Sequence, residues 1–498
     1  MKHIPILSMA LLLFMSMTMA AQNNTFLERS YWKANPSIAQ VQEDMSAGHD
    51  ITAMTSSAFD PVCWAILEKT NMETIKFLLE QPGNGPNKKT HDGRTYIFWA
   101  AYKNNLELIQ HLVDLGARTD LKDSHGYSLL NFAAVTGQQN QALYDFCIAR
   151  GANPKVEKNN DGANALLLVA PFLEDESLID YFTAAGIDLH AVDHKGDGIF
   201  NYAAKKGNTS VLDLLIKKGV AYKKRNAEGG NAFIMASQGT RNSSNTLETY
   251  KYLEALGLEP NIVTDNGFTP LHALAYRNTD LEIFNYFIEK GVGVDQPDIN
   301  GNTAFSNASY RNDLESIVFL ARHSKAINAA NKKGVTPLMR AVHRNTVEVV
   351  EFLLKEDADA FAKDATGNTL TYYLIQSYDK RKPKIFDQKL ALLKAKKLDF
   401  KVAQADGNSL WHLAVKENDM GLLKKIALLN IPINIRNTDG NTPLHLAAMK
   451  AKNKEILELL LAKGADKSIK TTFEESVYDL ASENELLQKN GLTLNFLK

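Results

Sequence analysis

The chain has 498 residues, 56 Lys plus Arg against 57 Asp plus Glu, a formal net charge of -1 and a pI near 6.9. This balance leaves no global basic footprint and speaks against binding to nucleic acid or anionic lipid through bulk charge. The length exceeds that of a usual single globular domain, but a chain of repeats grows by adding units and can remain one elongated domain.

The first segment, MKHIPILSMALLLFMSMTMAAQNN, has a basic start at Lys2, an apolar stretch and small residues at Thr18, Ala20 and Ala21. It reads as a secretory signal peptide over 1–20, cleaved after Ala20 or Ala21. An uncleaved membrane anchor is the competing reading, although Pro5, Ser8, Ser16 and Thr18 leave only a short span for it. No later stretch is long and apolar enough to cross a bilayer, so the expected location is periplasmic or secreted, with no stable membrane insertion after cleavage. Residues 21–57 carry two short helical patterns around Pro36 and no repeat glycine, as expected of a divergent capping unit. A degenerate unit around DPVCWAILEKTNMETIKFLLE follows.

From Gly93 onward one pattern recurs. A glycine opens a unit at 93, 126, 162, 196, 229, 267, 301, 334, 367, 407 and 440, with spacings of 33, 36, 34, 33, 38, 34, 33, 33, 40 and 33. Such a period marks a solenoid. Seven residues after the glycine most units carry Ala (Ala100, Ala133, Ala203, Ala236, Ala308, Ala341, Ala414 and Ala447), as required where one helix lies close on the next. Eleven residues on stand Asn104, Gly137, Gly207, Asn278, Asn312, Asn345 and Asn418. Both residue types tolerate the left-handed conformation, so a short first helix is predicted to end there. A second helix follows, as in EILELLLAKGAD, where Ile456, Leu457, Leu460 and Leu461 form an apolar stripe closed by Gly464.

The segments TPLHLAA at Thr442–Ala448, TPLHALA at Thr269–Ala275 and LLLAKGAD carry a family likeness: the chain resembles ankyrin-repeat proteins from about Ser57 to the C-terminus. The resemblance implies an all-α solenoid of stacked helix-turn-helix repeats with short β-hairpin loops. It divides the chain into a capping repeat at 21–57, an array of about 12 repeats at 58–470 and a closing repeat at 471–498. It also implies that His272, His412 and His445, in the TPLH slot, serve the scaffold through hydrogen bonds and not catalysis.

Two insertions separate paired helices, the polar Gln238–Thr246 and the basic Tyr378–Asp387. Both read as tolerated surface loops. The sharper reading makes Lys380, Arg381, Lys382 and Lys384 of the second a docking loop for an acidic partner. Cys63 and Cys147 fall in units too far apart to bridge and are expected to be free thiols.

No P-loop, HExxH, CxxC pair or dinucleotide fingerprint is present. The nearest metal-like spacing, HAVDH at His190–His194, lies in a loop, and no metal or cofactor is expected. In the family the positions nine and ten after the glycine face the binding groove. Here they are Tyr102-Lys103, Tyr276-Arg277, Tyr310-Arg311 and His343-Arg344. An aromatic ring beside a cation in three consecutive units suits an interface, since Tyr and Arg dominate interface energetics. Arg near a helix C-terminus and Tyr covering a neighbouring unit are the competing scaffold roles. The expected function is that of a monomeric, non-enzymatic, exported protein binding another protein in its concave groove as scaffold, inhibitor or protective partner. A small-ligand or metal-binding periplasmic protein and a secreted effector acting on host proteins are the alternatives.

Overall fold

The computed structural model describes residues 24–489 and 493–498, and the expected signal segment lies outside them. The chain divides into two compact units, Met1–His194 and Lys195–Lys498, so the array anticipated across 58–470 is parted between them. Among the described residues the secondary structure is helical, with no extended strand and no helix long and apolar enough to cross a membrane.

Among the described residues the first unit holds five helix pairs, beginning with Arg29–Lys33 and Ile38–Ser46 and ending with Ala165–Val169 and Ser177–Ala184, and the second holds nine, from Ile199–Ala204 and Thr209–Lys217 to Val477–Glu483 and Glu485–Lys489. Within each unit the first helix of a pair packs on the first helix of the next. The alanines at the seventh position make this approach possible: Ala100 and Ala133 in the first unit, and Ala236, Ala308, Ala341, Ala414 and Ala447 in the second, are fully buried. A larger side chain there would push the helices apart. In the last full repeat Ile456, Leu457 and Leu460 are buried and Gly464 adopts a φ of 90°, closing the second helix.

Each repeat begins with a tight finger. All eleven opening glycines have φ between 68° and 90°. At Gly334 an added Cβ would lie 2.5 Å from the Ala365 backbone nitrogen in the next finger, so both conformation and space require glycine. The residue three before the glycine donates its N–H to the carbonyl just after it, as in Asp298 to Asn302 (2.8 Å) and Asn437 to Asn441 (2.9 Å). Successive fingers are then tied by one backbone bond: the Ile299 N–H to the Asn266 carbonyl, 2.7 Å, and the Lys332 N–H to the Asn300 carbonyl, 2.8 Å. The anticipated β-hairpins are realised as turns linked by single ladder bonds, too short to form strands.

The glycine-or-asparagine position at the end of the first helix requires a partial correction. Asn104, Gly137, Gly207 and Asn418 are left-handed, with φ of 52°, 79°, 63° and 50°. Asn312 and Asn345 are not, with φ of -77° and -92°. Asparagine is used there for its amide. Asn312 Nδ2 donates to the carbonyls of Ala275 (3.0 Å) and Asn278 (2.8 Å), and Asn345 Nδ2 to those of Ser309 (3.1 Å) and Asn312 (3.0 Å). A helix leaves its last carbonyls without intrahelical donors, and the next repeat supplies them.

Cys63 and Cys147 are buried and free, on the helices Pro61–Glu68 and Gln141–Ala149. Burial raises both thiols, Cys147 to about 12, which keeps them as unreactive packing groups.

Candidate functional site

The TPLH histidines are structural. Thr269 donates its N–H to His272 Nδ1 at 3.1 Å, which leaves Nε2 as the donor to the Asn302 carbonyl in the next finger, 3.0 Å away. Ser409, His412 and Asn441 repeat this geometry at 3.0 and 2.9 Å, and Thr442, His445 and Ile469 at 3.1 and 2.8 Å. One ring nitrogen caps its own helix and the other ties the repeat to the following one. Burial holds the three rings below the usual histidine range, His412 at about 4, so each is neutral near pH 7. Neither nitrogen is left for proton transfer or metal ligation. Among the described residues no three His, Cys, Asp or Glu side chains converge on a metal site, HAVDH included.

The surface positions are arranged differently. In the second unit Tyr276, Arg277, Arg311 and Arg344 are exposed, while Tyr310 and His343 are half-buried. The asparagines that follow each pair, Asn278, Asn312 and Asn345, are buried. Helix geometry thus turns the pair outward and the capping amide inward. Tyr310 and His343 meet edge to face with centroids 6.2 Å apart, and the Arg340 guanidinium lies 6.0 Å from the Tyr310 ring. Part of this ladder is therefore also packed against its own scaffold. Tyr102-Lys103 lies in the first unit: Tyr102 is exposed, its carbonyl accepts from Gln138 Nε2 at 2.8 Å, and the Lys103 ammonium lies 5.6 Å from the Tyr102 ring. The corresponding slots of the next repeats are Val135-Thr136 and Pro171-Phe172, so the pattern does not continue there.

Both insertions border these positions in the second unit. A cleft of about 730 Å³ has Tyr276, Arg277, Tyr310 and Arg311 on one side and the polar insertion, including Thr240 and Arg241, on the other. A second cleft of about 560 Å³ joins His343 and Arg344 to the basic insertion. Each insertion therefore walls part of the ladder face, which the reading of them as tolerated loops did not anticipate. The basic one is also not wholly a loop, because a helix begins at Pro383 and runs to Ala395.

The two insertions disturb the capping amide in different ways. In the first, Asn245 at the far end of the insertion reaches the carbonyls of Ala204 (2.8 Å) and Ala236 (2.9 Å). In the second no asparagine is available, and Lys389 takes its place. Lys389 is 2% exposed, and its Nζ donates to the Val342 carbonyl at 2.7 Å. That carbonyl occupies the same place in its repeat as the Ser309 carbonyl capped by Asn345. Burial pushes the ammonium down to about 8.

Sequence reasoning also passed over the Asp or Asn three residues before the repeat glycine. Asp298 Oδ1 accepts from the N–H groups of Asn300 and Asn302, both at 2.8 Å, and Asn331 and Asp364 do the same in their fingers. Its recurrence at Asp123, Asn159, Asp193, Asn226, Asp298, Asn331, Asp364 and Asn437 was a visible signal.

The family model described as "Ankyrin repeats (3 copies)" matches residues 62–158, 240–331, 271–364, 305–382 and 385–471. The chain belongs to the ankyrin-repeat family. Its repeats form a scaffold of the kind that mediates protein–protein interaction. Among its relatives, the NAD-dependent deacetylase sir2B of Dictyostelium discoideum is 24% identical over 264 residues, covering 51% of this chain and 30% of that protein. The Notch-regulated ankyrin repeat-containing protein B of Danio rerio is 35% identical over 94 residues, 18% of this chain and 85% of that protein. The crystal structure of the human ASB11 ankyrin repeat domain is similar with a TM-score of 0.38 and 22% identity, covering 44% of this chain and 96% of that one. The chain thus spans under a third of the length of the deacetylase relative.

Proposed function

We propose that this ankyrin-repeat chain is an exported, non-enzymatic binding protein that holds a partner protein against the face formed by Tyr276-Arg277, Tyr310-Arg311 and His343-Arg344. The observation that carries this reading is the placement of the three pairs in two clefts, each walled by an insertion absent from the other repeats. Arg277, Arg311 and Arg344 form no ion pair among the described residues, so their charge is available to a partner. Export rests on the signal-like start, and an intact mass beginning at Ala21 or Gln22 in the exported protein tests it.

The binding reading is tested by crosslinking capture from native cell envelope with the wild type and the Tyr310→Ala/Arg311→Ala variant. The variant is expected to lose the captured protein. Its folding cost is expected near ~1 kcal/mol, because Arg311 is exposed and the half-buried Tyr310 gives up the edge contact with His343 and the Arg340 stacking. A variant that melts well below the wild type yet captures the same protein would make these residues scaffold only.

A further inference from the structure

We infer that the cleft between the polar insertion and the first-helix ends of the next two repeats receives an acidic segment of the partner protein. This rests on the binding face proposed above and names the chemistry that face selects. Three arginines line the cleft, Arg241, Arg277 and Arg311, and no carboxylate does. None of the three forms an ion pair among the described residues. Guanidinium groups without internal partners match carboxylates in bidentate geometry, and the rings of Tyr276 and Tyr310 beside them provide apolar contact for the intervening chain.

The wall is preset. Gly239 turns the chain with φ 63°, where an added Cβ would lie 2.6 Å from the Ser243 carbonyl. The Thr240 N–H donates to that carbonyl at 2.9 Å, and Asn245, 6% exposed, pins the far end to two neighbouring helix ends. Little ordering entropy is left for binding to supply. The exposure of Tyr276, Arg277 and Arg311 also bears on the size of the occupant. A small-molecule site covers roughly 70–90% of its ligand. This open cleft instead needs an occupant carried on a larger body.

The basic insertion, which the sharper of the two sequence readings made a docking loop for an acidic partner, is the weaker candidate. Its Arg381 is already paired with Asp379 at 2.8 Å, and Asp379, Glu417 and Asp419 line the second cleft beside Lys380 and Lys382. An acidic ligand would meet its own charge there. The three-arginine cleft has no such competition.

The test uses the full mature chain and a fluorescein-labelled Glu-rich peptide, with its Gln-rich analogue and a labelled single-stranded oligonucleotide as comparison probes, read by anisotropy. The Glu peptide is expected to bind with an affinity that falls as salt rises. It should weaken about tenfold in Arg277→Gln/Arg311→Gln and stay unchanged in Lys380→Gln/Lys382→Gln. A matched melting temperature for the arginine variant keeps folding out of the comparison. Equal binding of the Gln analogue, indifference to the arginine variant, or arginine-dependent binding of the oligonucleotide alone would each overturn the inference. Loss of partner capture in Tyr310→Ala/Arg311→Ala without arginine-dependent peptide binding sinks the acidic reading and leaves the binding face standing. Peptide binding with unchanged capture sinks the binding face.

Discussion

Ala308→Asp is expected to unfold the middle of the second unit. Ala308 is fully buried on the helix Ala304–Arg311, which packs against both Pro270–Leu274 and Pro337–Arg344. Its carbonyl also accepts the Asn312 N–H at 2.8 Å. A carboxylate at this position is forced into a helix–helix contact built for a methyl group, where its charge loses its hydration. Overpacking and desolvation of the charge together place the cost at about 5 kcal/mol or more. Because repeats are stabilised mainly by their neighbours, the loss should spread to the flanking repeats and leave the distant ones folded. Hydrogen exchange should show protection lost around residues 270–350, and the melt should split into two steps. Ala308→Gly is the control, removing the methyl group at a cost of about 1 kcal/mol. A melting temperature for Ala308→Asp within about 2 °C of the wild type would refute the close packing described here.

Acidification should destabilise the protein before its carboxylates titrate, and the buried histidines are the reason. His412 is held neutral with its folded pKa at about 4, against about 6.5 when unfolded. The unfolded chain therefore binds the proton more readily than the folded one over this interval. Stability is full above about pH 6.5 and is lost as pH falls toward 4. For His412 alone the difference amounts to about 3 kcal/mol by pH 4, and His272 and His445 add in the same direction. The physical event is protonation of Nδ1, which turns the acceptor of the Ser409 N–H into a second donor facing it. Urea midpoints measured from pH 7.5 to 4 should fall steeply for the wild type and less steeply for His412→Gln. Equal slopes would mean that the ring is already solvated and that its capping geometry is wrong.

The histidines also show how much of this molecule was legible in its sequence. Their scaffold role could be read from TPLHLAA because the capping bond spans three residues, Thr442 to His445, and lies within one motif. The repeat glycines and alanines were legible for a related reason. A positive φ and a close helix contact are demands that each unit makes on its own backbone, so the same residue types return at the same spacing. The fold followed from them. The recurring Asp or Asn of the finger was equally local and equally visible, but a short polar residue in a loop has many ordinary explanations, and the paired bonds at Asp298, Asn331 and Asp364 gave it a role.

The period and the helix-turn-helix unit were thus legible in the chain itself, because each is fixed by conformation within about a dozen residues, whereas the exposure of the ninth and tenth positions was an expectation taken from the family resemblance. Tertiary structure alone decided the rest. Only there does Asn312 prove to be chosen for an amide that reaches Ala275, 37 residues earlier, and Lys389 to stand in for an asparagine against a carbonyl 47 residues away. Only there do the two insertions turn to face the ladder, with the arginines of one cleft unpaired and the lysines of the other set beside carboxylates. Those features rest on groups from different repeats meeting in space, and a helix-ending carbonyl or a guanidinium leaves no mark in the sequence of the distant residue that partners it.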